Sequence, residues 1–295
     1  MCKRVLPIVL LFLIAALPLF GQEENGLLQT YRKSFARGSL STKIQVLQDA
    51  SKEDLQGMRP LYSQALRFYM DNISILENDA TALEMVKLSI TLIGKSGYTN
   101  AAPELWELFS SVENTGVRIA VMNAMGELLA PESQFVARIE RWMNEQNSSF
   151  RSGAEVDVQV MAEAVRTLGD IGAASSFPVL FSAAHLGYPD RVSKAARDAL
   201  GNIEGDLTRR VMAVLRQGFA GEKLSALEWA MERDYFTKEQ KGRIAHTALQ
   251  AGLASSSNAT EDRQLRELRF AAARRLTELA WSEATPAVIE HFNRT

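Results

Sequence analysis

Side chains suited to catalysis or metal binding are few and dispersed. The three histidines, His185, His246 and His291, lie far apart, and the single cysteine is Cys2. No disulfide framework, thiolate zinc site or iron–sulfur cluster can be built from that set. Neither G-x-S-x-G nor H-E-x-x-H occurs, so nothing signals a nucleophile elbow or a zincin helix. Gly94-Lys95-Ser96 imitates the end of a phosphate-binding loop, but the motif needs a glycine five residues before Gly94, where Ser89 stands. A lysine in the last turn of a helix, favoured by the helix dipole, accounts for it. No catalytic, cofactor-binding or metal residue is assigned, no cofactor is implied, and the chain is not read as an enzyme.

One charged pattern does recur. Asp49, Lys95, Glu127, Asp170, Asn202 and Glu278 each follow the anchor of a repeated segment, and four of these six are acidic. Stacked segments would set Asp49, Glu127, Asp170, Asn202 and Glu278 along one ridge, able to meet a basic partner or a cation. The plainer reading is that these side chains stay solvated. Their place in a last helical turn, where the dipole disfavours anions, leans towards function. Arg263, Arg266, Arg269, Arg274 and Arg275 make the C-terminal region locally basic, and dilution by neighbouring acids reads as a solvated face. The whole chain has 33 Lys and Arg against 35 Asp and Glu, a formal charge of -2. That balance excludes a strongly basic nucleic-acid binder. Hydrophobic residues at 46% and charged residues at 23% describe a globular chain of 295 residues rather than a disordered one.

The elements that position these charges are visible as internal repetition. Anchors fall at Gly94, Gly126, Gly169, Gly201 and Thr277, with a weaker copy at Gln48. One residue earlier stand Ile93, Met125, Leu168, Leu200 and Leu276, and five earlier Ser89, Val121, Ala164, Ala196 and Ala272. Nine earlier stand Met85, Val117, Val160, Val192 and Leu268. Offsets of that kind share one face of an α-helix, so Ile93, Met125, Leu168, Leu200 and Leu276 are expected to form the repeat core. A glycine inside a helix costs up to about 1 kcal/mol relative to alanine, which close approach of a neighbour would explain. Pro103, Pro178 and Pro286 each lie nine residues after an anchor, where proline opens a second helix. Each unit therefore reads as helix, short turn, helix.

These residues resemble the short HEAT-like repeats also found in bilin-lyase-type proteins, V-R-x-x-A-x-x-A-L-G-x-I-G followed by A-x-P-x-L. Val117-Arg118, Ala164, Leu168-Gly169 and Ile171-Gly172 match best. The resemblance is good over about 80–205, fair over 265–293 and loose over 27–80 and 206–262. It implies an all-α, right-handed α-α superhelix over residues 40–295, in which neighbouring hairpins bury each other's apolar flanks. Such arrays mostly present surfaces to other proteins and share no catalytic residues.

Residues 1–21 read as a secretory signal peptide: Lys3 and Arg4, then an apolar run from Val5 to Phe20, with cleavage expected near Gly21. The run is short for a bilayer-spanning helix. Residues 22–39 are expected as a leader or capping segment. Asn144–Gly153 (NEQNSSFRSG) reads as a long loop, Gly252–Arg263 as a second polar and mobile stretch, and Thr237 with Gln240 as a capping box. Asn72, Asn147, Asn258 and Asn293 begin N-x-S/T sequons. The tryptophans Trp106, Trp142, Trp229 and Trp281 are expected in packing roles. Taken together, the expectation is an exported scaffold, periplasmic or extracellular, that mediates protein–protein interaction in the cell envelope. Its partners are other proteins, and a membrane is involved only if the N-terminal segment is retained. One alternative is a membrane-tethered assembly factor with that helix uncleaved. Another, implied by the resemblance alone, is an enzyme or cofactor handler of the bilin-lyase-like type.

Overall fold

Polar residues placed just before apolar runs set most of the helix starts. Ser39, Asp79, Asn114, Ser133, Asp157, Thr237 and Asn258 each accept an N–H from the turn that follows, satisfying donors that a helix end leaves orphaned. Thr237 and Gln240 complete the expected capping box in both directions. The computed structural model describes residues 20–293, among which there are α-helices and three short 3-10 turns but no strand. The first helices are α1 (Phe20–Arg37), α2 (Leu40–Glu53), α3 (Arg59–Asp71), α4 (Ile73–Leu76), α5 (Ala80–Lys95) and α6 (Ala102–Ser111). The middle of the chain forms α7 (Thr115–Leu128), α8 (Gln134–Arg151), α9 (Val158–Ile171), α10 (Phe177–His185) and α11 (Asp190–Asn202). The remainder is α12 (Thr208–Gln217), α13 (Ala220–Met231), α14 (Lys238–Gly252), α15 (Ala259–Glu278) and α16 (Thr285–Asn293). The apolar run assigned to a signal peptide lies outside the described residues, apart from its end at the start of α1. No described helix is long and apolar enough to cross a membrane.

Helices α5, α7, α9 and α11 pack successively on one another, and α2 packs on α5. Between them α6, α8 and α10 each pack on the next member of that row. Further on, α12 packs on α13 and α14, and α15 packs on α13 and α14. This sequential packing is compatible with a helical repeat. Ile93, Met125, Leu168, Leu200 and Leu276 are all buried in the core, as are the small residues five places earlier and the apolar ones nine earlier. The prolines fall at the starts of α6, α10 and α16, each after a 3-10 turn.

Two of the anchor glycines are explained by what lies against them. A Cβ built on Gly94 would meet the Cα of Ala124 in α7 at 3.1 Å, and one on Gly169 would meet the Cβ and Cα of Ala199 in α11 at 2.6 and 2.9 Å. Nothing lies within 4 Å of the corresponding point on Gly201. Three residues after the anchors Gly94, Gly169 and Thr277 the chain turns left-handed: φ is 64° at Gly97, 70° at Gly172 and 49° at Ala280. Alanine is the strained member of that set, because its Cβ crowds the backbone at positive φ.

The row stops at α11, and the side chains differ there. Four residues before the anchors, α5, α7 and α9 carry the buried Ile90, Met122 and Val165, whereas α11 carries the exposed Arg197. Helix α13 packs instead on α10, α12, α14 and α15. Burying a guanidinium without a partner would cost several kcal/mol by order of magnitude, and Arg197 instead lines an open groove between α11 and α13.

Two expected loops are corrected. Most of Asn144–Gly153 is the C-terminal half of α8, which ends only at Arg151. Polar letters hid a helical face: Met143 and Asn147 are buried, Asn147 Nδ2 donates to the Val179 carbonyl at 3.3 Å, and Phe150 stacks on Tyr188 at 3.9 Å. The sequon at Asn147 is thus folded into the interior. The stretch Gly252–Arg263 is shorter as a loop than expected, because Asn258 caps α15 and residues from Ala259 are helical. At the N-terminus α1 is held by Phe35, which is buried, and by the buried Lys43, whose ammonium donates to the Phe35 carbonyl and lies 4.6 Å from the Phe35 and Phe68 rings. Burial holds the Lys43 pKa below its ordinary value.

Candidate interaction surface

The charged positions after the anchors occupy the C-terminal turns of their helices, because the apolar offsets rotate them outward. Glu127 on α7, Asp170 on α9 and Asn202 on α11 are exposed and stand on successive helices of the row. Glu127 and Asp170 line a groove of about 550 Å³ with Lys87, Thr91, Ile119 and Asn123. Asp170 and Asn202 also line a groove of about 420 Å³ between α9 and α11, with Arg166, Arg191, Lys194 and Asp198. Asp170 is common to both, so three of the five ridge residues border two adjoining grooves. Among the described residues, Glu127 and Asp170 form no ion pair and no hydrogen bond. Their charges are uncommitted.

The other two lie elsewhere and are engaged locally. Asp49, on α2, accepts from Gln45 Nε2 at 2.9 and 3.0 Å and pairs with Lys52 at 3.4 Å. The hydrogen bond from Gln45, with help from Lys52, holds its carboxyl below the ordinary range. Glu278, on α15, pairs with Arg275 at 2.8 Å and Arg274 at 3.5 Å. Helix α13 leaves the row, and this separates Glu278 from the α7–α11 face. Lys95 is exposed at the end of α5, and Ser96 Oγ donates to the Ile93 carbonyl at 2.9 Å, which is helix-end chemistry rather than a phosphate cradle.

Polar ties link neighbouring helices. Thr167 Oγ1 donates to the Met122 carbonyl at 3.0 Å, Ser89 Oγ to the Tyr62 carbonyl at 2.7 Å, and Ser176 Oγ to Glu140 at 2.8 Å. Arg118 lies against the Phe109 and Trp142 rings, with its guanidinium carbon 4.3 and 5.3 Å from the ring centres; burial lowers its pKa. Glu222 on α13 is buried. It accepts from Ser182 Oγ at 2.8 Å, and its Oε1 has no partner. Desolvation pushes its carboxyl above the ordinary value, against the opposing pull of Ser182 and of the backbone at Phe219.

The histidines do not converge. His185 stacks on Phe181 at 4.1 Å and its Nδ1 donates to the Phe181 carbonyl at 2.8 Å; His291 is buried against Phe270; and His246 is half-buried on α14. Among the described residues no group of three metal-ligating side chains forms. The basic C-terminal stretch is divided by pairing, with Arg266 on Asp262 at 2.7 Å and Arg274 and Arg275 on Glu278. One feature escaped sequence reasoning. Trp229, Tyr235, Arg233, Arg197 and His185 line a groove of about 620 Å³ between α10, α11 and α13. Those residues come from separate segments without a shared spacing, so only the fold unites them.

Compared with models of known protein families, with curated proteins and with solved structures, the chain finds no match.

Proposed function

We propose that the protein is an exported, HEAT-like α-α superhelical scaffold that binds another protein through the exposed face of α5, α7, α9 and α11. The observation that supports this most is the pair of grooves meeting at Asp170. They run across successive helices, mix Lys87, Arg166 and Lys194 with Glu127, Asp170 and Asp198, and leave Glu127 and Asp170 unpaired. Such a face suits a partner segment that brings cations to the two carboxylates, while Ile119, Ala120 and Ala195 supply apolar contact. Charge arrangement there would set orientation and on-rate more than raw affinity, and a few buried contacts would carry most of the energy.

The test is affinity capture from the native envelope with the natural chain and with the double substitution Glu127→Lys, Asp170→Lys. Both positions are exposed, so the variant should fold with an unchanged helical spectrum. A co-purifying protein that is retained by the natural chain and lost by the variant is the expected result. Retention by both would remove this face from the proposal. Mass measurement of the mature protein addresses export, for which the expected product begins after Gly21.

A further inference from the structure

We infer that the gap between α11 and α13 is a binding site for an aromatic carboxylate, with Arg197 and Arg233 holding the anion and Tyr235 with the apolar floor holding the ring. Helix packing creates the space: Gly201 has nothing within 4 Å of its missing Cβ, where Gly94 and Gly169 each have a helix. The groove is about 620 Å³, within the range of small-ligand sites. Its floor is apolar, from Leu200, Ile203 and Leu207. Its wall is Trp229 with Tyr235, their ring centres 6.4 Å apart and nearly perpendicular. Tyr235 is 57% exposed, so its ring is open to a ligand in the groove.

The polar groups are correspondingly one-sided. Arg197 and Arg233 line the groove, with Glu204 the single acid beside them. Neither arginine forms an ion pair among the described residues. Arg233 is fixed in place: its guanidinium lies 3.8 Å from the Trp229 ring centre, and its Nη1 donates to the Trp229 carbonyl at 3.0 Å. Arg197 is exposed on α11 and brings a second planar fork to the same space. Planar guanidinium groups match a carboxylate in two-point geometry. An apolar floor, the exposed Tyr235 ring and two arginines lining one groove together suit a flat apolar body carrying one carboxylate. Two sources offer that chemistry: a free aromatic acid, and the aromatic C-terminal residue of a peptide chain.

Calorimetric titration of the purified full chain tests the site with 3-phenylpropionate, with a hexapeptide ending in phenylalanine, and with that peptide's C-terminal amide. Saturable binding of at least one free acid is expected. Amidation and Arg197→Gln should each weaken it by about tenfold or more, since a charge-assisted hydrogen bond is lost. Tighter binding of the peptide than of 3-phenylpropionate would identify a chain terminus as the source, and the reverse a free acid. No saturable binding of either acid, or binding indifferent to amidation or to Arg197→Gln, overturns the inference. Thermal melting of the Arg197→Gln protein should match that of the natural chain and so guards against misfolding. Glu127 and Asp170 do not line this groove, so the outcome is independent of the partner-binding test above.

Discussion

The same anchor glycine should respond in opposite ways to the same substitution, depending only on its neighbour. At Gly169 a new methyl would lie 2.6 Å from the Ala199 Cβ and 2.9 Å from its Cα. Carbon contacts are comfortable at roughly 3.5–4.0 Å, so α9 and α11 would have to part by about 1 Å. The obstacle includes backbone and cannot swing aside, and such overpacking costs about 1–3 kcal/mol. Replacing glycine by alanine in a helix returns up to about 1 kcal/mol. Gly169→Ala is therefore expected to be destabilising by up to about 2 kcal/mol. At Gly201 the methyl meets nothing within 4 Å, so Gly201→Ala should stabilise by up to about 1 kcal/mol. Urea unfolding at matched slopes measures both. The gap between the two variants isolates the contact itself, because the intrinsic helix preference is common to them. Equal shifts in midpoint would refute close α9–α11 packing as the reason for Gly169.

Leu168→Ala, at a fully buried position, should cost about 2–5 kcal/mol, and a negligible change in denaturant midpoint would remove it from the core. Ala280→Gly relieves the one positive-φ alanine and should stabilise by about 1 kcal/mol or less, the unfolded-state entropy of glycine offsetting part of the gain; calorimetric melting gives the sign. Glu222 has a folded pKa raised by burial, so its favourable contribution is complete below its unfolded pKa and is lost as pH rises through the folded one. The Glu222→Gln protein should therefore gain stability relative to the natural chain on going from acid to neutral pH, and parallel stability–pH curves for the two would contradict that assignment.

Much of the helical order was legible because it depends on short-range periodicity. Leu168, Ala164 and Val160 state one buried face, and Pro178 marks where the next helix begins. The end of α8 was illegible for the complementary reason: Asn147 and Ser148 look like loop residues until Val179 and Tyr188 arrive from α10 and the turn after it. The charged ridge was half legible. Regular spacing joins Glu127, Asp170 and Asn202, but the interruption of the row after α11, which sets Glu278 apart, follows from packing that no spacing announces. Arg233 and Tyr235 belong to no repeated pattern and become neighbours of Arg197 only in three dimensions.

The stand-off between α11 and α13 also bears on how the molecule breathes. Helix α10 packs on α8 and α11 on one side and on α12 and α13 on the other, so it is the principal strap between the two stretches of chain. Opening there would part Trp229 from Phe177 and Phe181, which are fully buried. Amide exchange should accordingly divide into two cooperative blocks, one ending at α11 and one beginning at α12, with α10 reporting the free energy of their separation.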